Sequence, residues 1–400
     1  MIKLLHSSDW HLGKSLFSKA LLEDQTTTLN EISAFLELHE PDALLLSGDL
    51  FDRSVPPEDA VERLDLFLSN AVLKLNVPVI MIPGNHDSST RIGAHAGLLR
   101  AAGLHVFSKP ESIYHPVKLG EGAARVSVYG VPYLEPAEWG FYFSLPLRTH
   151  AEAMTQILES LKPLLENDKL EGRRSVLLLH AYVTGGQATD SERPLSIGGS
   201  ELVPSEPLEV FDYVALGHLH RPQKVGLEKI QYPGSLFPYS LSEAGQKKGI
   251  VLAKLGAEPT EDSFEFLEFK TPRRLHALRG SLEEILEPAP ESSNGTTTFR
   301  ADDYVIAVLT DPSLPTDAFR RLAKVYPGLL HVSRESTWDR SAANDADRLN
   351  RALRRDISDQ DLLSQFVALT ASTELSAEDR QWLSSELDAF SKAEDSGALS

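Results

Sequence analysis

Over the first 270 residues, short apolar runs alternate with stretches whose apolar positions recur every three or four residues. The clearest run is Ala43–Asp52 (ALLLSGDLFD), where four apolar residues pass straight into Ser47, Gly48 and the carboxylate of Asp49. Unbroken apolar character bounded by a glycine predicts a strand buried on both faces, in a parallel or mixed sheet flanked by helices. The glycine permits a sharp turn and delivers Asp49 to the sheet rim, where open α/β folds carry their sites. The same construction recurs at Ile2–Asp9, Val77–Asp87, Ser175–His180 and Tyr213–His220, so five apolar runs each end in Asp, Asn or His. Helices are predicted between them. One covers Asp24–Glu40, with Leu29, Ile32, Phe35 and Leu36 on one face; another starts near Pro57 and carries Val61, Leu64, Phe67 and Leu68; a third covers Glu152–Leu165. Beyond His180 the strands shorten and turns crowd, which predicts a second, largely antiparallel sheet. The expected fold class is α/β, a two-sheet sandwich flanked by helices.

Thr271-Pro272 reads as a boundary. After it, strands are predicted at Arg274–Leu278, Tyr304–Thr310 and Leu329–Ser333, with a short helix from Ser281 and another around Asp317–Val325. Glu287–Thr298 is too polar and turn-rich to pack. A charged stretch, Glu335–Asp356, leads to two short amphipathic helices whose starts carry Ser358 with Asp361 and Ser376 with Asp379. Helices this short need an apolar surface to cover, on the body or on a partner. The expected organisation is therefore residues 1–270, a small α+β unit at 271–335, and a linker with terminal helices at 336–400.

Composition narrows the chemistry. Apolar and charged fractions of 42% and 24% are those of an ordinary globular protein. No apolar run approaches the roughly 20 residues that span a bilayer, and no signal peptide is recognisable, so the expectation is a cytoplasmic protein without membrane contact. The chain has no cysteine, which leaves carboxylate, imidazole and amide as the only metal donors. A net charge of −19 argues against coating nucleic acid by bulk electrostatics, but not against a nucleic-acid enzyme with local cations. Gly13-Lys14-Ser15 imitates the end of a phosphate-binding loop, yet the earlier glycine it requires is Ser8, so ATP binding is not expected.

Asp9 and His11 lie two apart, as do His218 and His220, which at an extended strand end would point each pair to one side. Gathering so many imidazoles and carboxylates at adjacent strand ends without a cation would be costly. Asp9, His11, Asp49, Asn85, His180, His218 and His220 make seven groups, more than one ion with open positions needs. Two ions sharing a carboxylate could activate a water and clamp phosphoryl oxygens, with no Ser or Cys nucleophile required.

The order Asp-x-His, Gly-Asp-x-x-Asp, Gly-Asn-His-Asp, His, Gly-His-x-His resembles the calcineurin-like metallophosphoesterase superfamily. More narrowly, Ser8–Gly13 (SDWHLG), Gly48–Asp52 (GDLFD), Gly84–Ser88 (GNHDS) and Gly217–Arg221 (GHLHR) resemble the SbcD nuclease family, as do Asp190–Glu201 (DSERPLSIGGSE) and Tyr232–Ser235 (YPGS). The resemblance implies two divalent ions, manganese or alternatively magnesium. Asp9, His11, Asp49 and His220 would hold one, and Asp49, Asn85, His180 and His218 the other. It implies that His86 protonates or steadies the leaving oxygen, and that Asp52 and Asp87 orient histidines. It further implies that 271–335 caps DNA and that the terminal helices dock on an SbcC-type coiled-coil ATPase, two copies of each subunit forming a heterotetramer.

The expected function is a metal-dependent DNA exonuclease and single-strand or hairpin endonuclease acting in repair, recombination and replication. The alternatives are a phosphoesterase for small phosphodiesters or phosphoproteins, and a non-catalytic scaffold for an ATPase.

Overall fold

The computed structural model describes residues 1–122, 124–192, 201–270, 273–287, 300, 302–313 and 315–335. Strands β1 (Ile2–Ser7), β2 (Ala43–Ser47), β3 (Val79–Ile82) and β4 (Leu104–Val106) alternate with helices α1 (Leu22–His39) and α2 (Glu58–Ser69). Next come β5 (Val117–Leu119), β6 (Val126–Val131), helix α3 (His150–Leu170), β7 (Arg174–His180), β8 (Tyr213–Gly217), β9 (Gln223–Val225) and β10 (Leu227–Tyr232). Strands β11 (Gly249–Leu255) and β12 (Ser263–Glu268) complete the body.

These strands make two six-stranded sheets, ordered β12-β11-β1-β2-β3-β4 and β9-β10-β8-β7-β6-β5. Alternation along each strand sorts the side chains. Leu4, Leu45, Ile80, Leu178, Ala215 and Ala253 lie in the layer between the sheets. Their neighbours Leu5, Leu44, Leu46 and Val79 pack outward with Leu29, Ile32 and Leu36 of α1 and Leu64 and Phe67 of α2. On the far side Leu177, Leu179, Val214 and Leu216 share a core with Met154, Ile157 and Leu161 of α3. All five residues of β2 are buried, as a strand with a sheet on one side and helices on the other must be.

The expectation of a largely antiparallel second sheet is overturned. Its centre is parallel: β6 pairs parallel with β7, β7 with β8, and β8 with β10, while only β5 and β9 pair antiparallel. The roughly six turns of α3, at 3.6 residues each, carry the chain back over the sheet, which a parallel β6–β7 pair requires. Gly249–Leu255 also joins the first sheet rather than the second, pairing antiparallel with β1.

After the body comes a parallel three-stranded sheet of β13 (Leu275–Gly280), β14 (Tyr304–Leu309) and β15 (Leu329–Arg334), with helices α4 (Leu282–Leu286) and α5 (Ala318–Val325). Val305, Ala307 and Leu309 of β14 face those helices, where Ile285 and Leu322 close a small core. The alternate residues Tyr304 and Ile306 pack instead with Leu16, Leu21, Phe237 and Tyr239 of the body. The predicted boundary at Thr271-Pro272, the stretch from residue 288 to 299, and the C-terminal helices lie outside the described residues.

Candidate metal centre

Four parallel strands deliver the polar residues at their carboxyl ends, and a fifth ends on one. Beyond β1 come Asp9 and His11; beyond β2, Asp49; beyond β3, Asn85 and His86. His180 is the last residue of β7, and His218 and His220 follow β8. The two sheets are tied together at this rim. Ser47 donates its hydroxyl to Ala215 O (2.8 Å), and His180 donates Nδ1–H to Ser47 O (2.8 Å). Gly217 makes the approach possible, since a Cβ there would sit 1.9 Å from Ser47 O.

All seven residues proposed as ligands converge. His11 Nε2 lies 3.0 Å from His220 Nε2 and 3.6 Å from Asp49 Oδ2, while His180 Nε2 lies 3.5 Å from that same oxygen. Asp49 thus stands between two imidazoles. Asn85 Oδ1 is 2.9 Å from His180 Nε2 and 3.2 Å from His218 Nδ1. Donor atoms of Asp9, His11 and His220 fall within 4.8 Å of one another, and so do those of Asp9, Asp49 and His180.

The pairing at extended strand ends does not describe how they converge. Asp9 (φ 53°), His11 (φ 45°), Asp49 (φ 51°) and His218 (φ 108°) all have left-handed backbone, so tight turns rather than strand alternation aim the side chains. Each such residue costs about 1–3 kcal/mol and persists only where its surroundings over-determine it. Here they do: Asp9 N–H donates to Gly48 O (3.0 Å), His11 N–H to Asp49 O (2.9 Å), and His218 N–H to the Asp9 carboxylate (3.0 Å).

The electrostatics call for positive charge. Burial opposes ionisation of Asp49, but the imidazoles of His180, His11 and His86 outweigh it and hold that carboxyl well below its usual range. Burial likewise disfavours charge on His180, yet Asp49 and Asp9 draw its value up to about 9. Burial, reinforced by His180, pushes His218 down to about 3. His11 Nδ1 is buried without a hydrogen-bond partner among the described residues, and lies 3.7 Å from Asp52 Oδ1. His180 spends Nδ1–H on a carbonyl, so a neutral ring turns an Nε2 lone pair on the Asn85 and Asp49 oxygens. Lone pairs converging from buried imidazole, amide and carboxylate groups fit a divalent cation, and the oxygen and nitrogen donors suit manganese, iron, zinc or magnesium.

His86 sits beside this cluster, its ring centroid 4.7 Å from that of His11. Its Nδ1–H donates to Asp52 O (2.8 Å), which leaves Nε2 for a group in the cleft. Asp52 also takes Lys14 Nζ at 2.6 Å, giving a structural place to the lysine of the false phosphate loop. Asp87 departs from its expected role. Its carboxylate accepts the backbone N–H groups of Gly84, Leu50 and Phe51, each at 3.0 Å, so it fastens the loop after β2 to the loop after β3 rather than orienting a histidine. A carboxylate has few lone pairs to spare once three amides use them.

Two model matches bear on identity. A calcineurin-like phosphoesterase model matches residues 2–222, more than half of the chain and every converging residue described above. The chain belongs to the calcineurin-like phosphoesterase family, in its SbcD branch. The branch rests on the SbcD C-terminal model, described as the type 5 capsule protein repressor C-terminal domain, which matches residues 271–371. Members of the phosphoesterase family use divalent metals, and this chain is a phosphoester hydrolase by that membership. Among solved structures, a dimetal phosphatase from Danio rerio is 13% identical with a TM-score of 0.39, covering 66% of this chain and 98% of its own. A glutamine-dependent NAD+ synthetase from Acinetobacter baumannii is 7% identical with a TM-score of 0.30, covering 93% of this chain and 71% of its own. Both are too remote to bear on function.

Several residues of this phosphoesterase's site carried no signal in the sequence. Gln25, buried on α1, donates to Trp10 O (3.1 Å) and His11 O (2.8 Å) and so braces the β1 turn from behind. Tyr239 donates to Trp10 O at 2.5 Å. Glu243 and Lys248 form an ion pair with side chains 0% and 1% exposed. Such residues lie outside the motifs, and only contact reveals them.

Proposed function

We propose that this protein is a DNA nuclease that hydrolyses phosphodiesters with two divalent ions, manganese foremost and magnesium as the alternative, in concert with an SbcC-type ATPase. The observation that carries the reading is the convergence of seven oxygen and nitrogen donors at the carboxyl rims of two sheets, in a chain with an SbcD-type C-terminal region. Asp9, His11, Asp49 and His220 would hold one ion; Asp49, Asn85, His180 and His218 would hold the other, Asp49 facing both. When bound, the ions supply a nucleophilic hydroxide and neutralise charge on the phosphoryl oxygens.

The chain's own residues then do the rest. His180 is held by Ser47 O with Nε2 turned inward, and Asp49 is fixed by the His86 N–H at 2.8 Å, so neither must reorganise as charge develops. His86, anchored through Nδ1 to Asp52 O, presents Nε2 to the leaving oxygen and hands it a proton or a hydrogen bond. The unit from β13 to β15 is read as a DNA cap, and the segment after it as the partner-docking region of a heterotetramer with two copies of each subunit. Cytoplasmic residence and roles in repair, recombination and replication follow from that reading.

The test uses the purified protein with manganese and its ATPase partner on duplex ends and a DNA hairpin, beside Asp49→Ala. Wild-type cleavage of both substrates, reduced by 10³-fold or more in the variant, is expected. Intact DNA in both reactions would overturn the proposal. Faster turnover of a small nitrophenyl diester than of either DNA would instead favour a small-molecule phosphoesterase.

A further inference from the structure

We infer that Ser191, Glu243 and Lys248 form a positioning chain that locks His220 in the tautomer whose Nε2 lone pair faces the candidate metal centre. The inference rests on reading that centre as a metal site. Nδ1 of His220 lies 2.5 Å from Ser191 Oγ, and Ser191 Oγ lies 2.5 Å from Glu243 Oε1. Glu243 is buried, and it is ringed by donors. Lys248 Nζ reaches it at 2.5 Å, Ser240 Oγ at 3.0 Å, Ser235 Oγ at 3.2 Å and the Tyr239 N–H at 3.2 Å. A carboxylate so surrounded can only accept. Ser191 must therefore spend its hydroxyl proton on Glu243, which leaves an oxygen lone pair for His220. Nδ1 must then carry the ring proton, and Nε2, 3.0 Å from His11 Nε2, is left as a bare donor.

Lys248 and Glu192 grip the backbone of His220. Lys248 Nζ donates to His220 O at 2.7 Å, and the His220 N–H donates to Glu192 Oε1 at 2.7 Å. Ring, amide and carbonyl are thus held together. A fully buried Lys–Glu pair is weak evidence for stability on its own, because desolvation offsets its attraction. Placed against a ligand's far nitrogen it has a reason to exist, since such partners fix tautomer and orientation. Ser191 and Glu192 also open the Asp190–Glu201 block, which has no chemical role when read as sequence alone.

Two measurements on the full-length protein decide it: nitrogen NMR of histidine-labelled, metal-free protein, and calorimetric titration with manganese. The His220 signal is identified by its loss in His220→Gln. Wild type should show His220 protonated on Nδ1 alone. Ser191→Ala should show mixed tautomers and weaken one of two manganese-binding events about 10- to 100-fold, leaving the other unchanged. Ser191→Thr should restore both, and Glu243→Gln, if folded, should behave as Ser191→Ala. Unchanged tautomer and unchanged affinity in Ser191→Ala would overturn the inference. Absence of manganese binding by wild type would instead overturn the proposed function, while the metal-free tautomer would still decide the lock.

Discussion

His6 shows how far a single buried polar group can be committed to one state. It lies between the sheets, where Tyr213 donates its hydroxyl to Nδ1 (2.9 Å) and Nε2–H donates to Leu216 O (3.1 Å). Burial lowers its pKa from 6.5 to about 3, with the Leu216 carbonyl opposing the shift. As pH falls, the unfolded chain takes up this proton first, so stability rises with pH between about 3 and 6.5 and the contribution is full above 6.5. In His6→Gln the loss of unfolding free energy between pH 7.5 and 5 should shrink by about 2 kcal/mol, at 1.36 kcal/mol per unit. Urea denaturation at the two pH values checks it, and an unchanged loss would refute it. The strained turns at Asp9, His11, Asp49 and His218 belong to this scale too, because each is fixed by a hydrogen bond to a named neighbour.

Among elements, β2, β7 and β8 decide the geometry. β7 pairs with β8 over Val176–His180, so His180 and His218 start from adjacent strand ends, and β2 reaches them from the other sheet through Ser47. The crossing is tight only because residue 217 has no side chain. In Gly217→Ala the new methyl meets Ser47 O at 1.9 Å and His180 Nδ1 at 2.9 Å, and the first of these is backbone that cannot swing aside. The expected result is a loss of at least about 1–3 kcal/mol of stability together with weaker manganese binding. Thermal unfolding and calorimetry read the two effects. A variant with wild-type midpoint and affinity would mean that the sheets part freely at this point.

For the molecule as a whole, the joint between the body and the β13–β15 unit carries its own anchor. Asp24 on α1, 2% exposed, accepts from Arg273 Nη1 (3.0 Å) and from the Tyr304 hydroxyl (2.8 Å) beneath the Leu16, Phe237 and Tyr239 cluster. Asp24→Ala strands a guanidinium and a phenol at the joint, costing on the order of 1–3 kcal/mol. Hydrogen exchange should quicken in β14 while β2 keeps its protection. Equal quickening in both strands would show that the two parts open together. Among the described residues no helix is long and apolar enough to cross a membrane.

Much of this molecule is written in local pattern. Apolar runs such as Ala43–Leu46 specify strands, their polar terminators mark one rim, and the apolar spacing of Leu29, Ile32 and Leu36 specifies a helix, because each signal lies within a few residues of what it predicts. The direction of strand pairing did not follow, since short strands and crowded turns beyond His180 suit either arrangement and the α3 crossover settles it. Nor did the role of Asp87, whose partners are amides 37, 36 and three positions before it. Glu243, Gln25 and Ser191 meet their histidines only when distant segments pack. Residue types and their order were set along the chain; tautomers, strained turns and supporting contacts were set by packing, which alone brings such groups within hydrogen-bond reach.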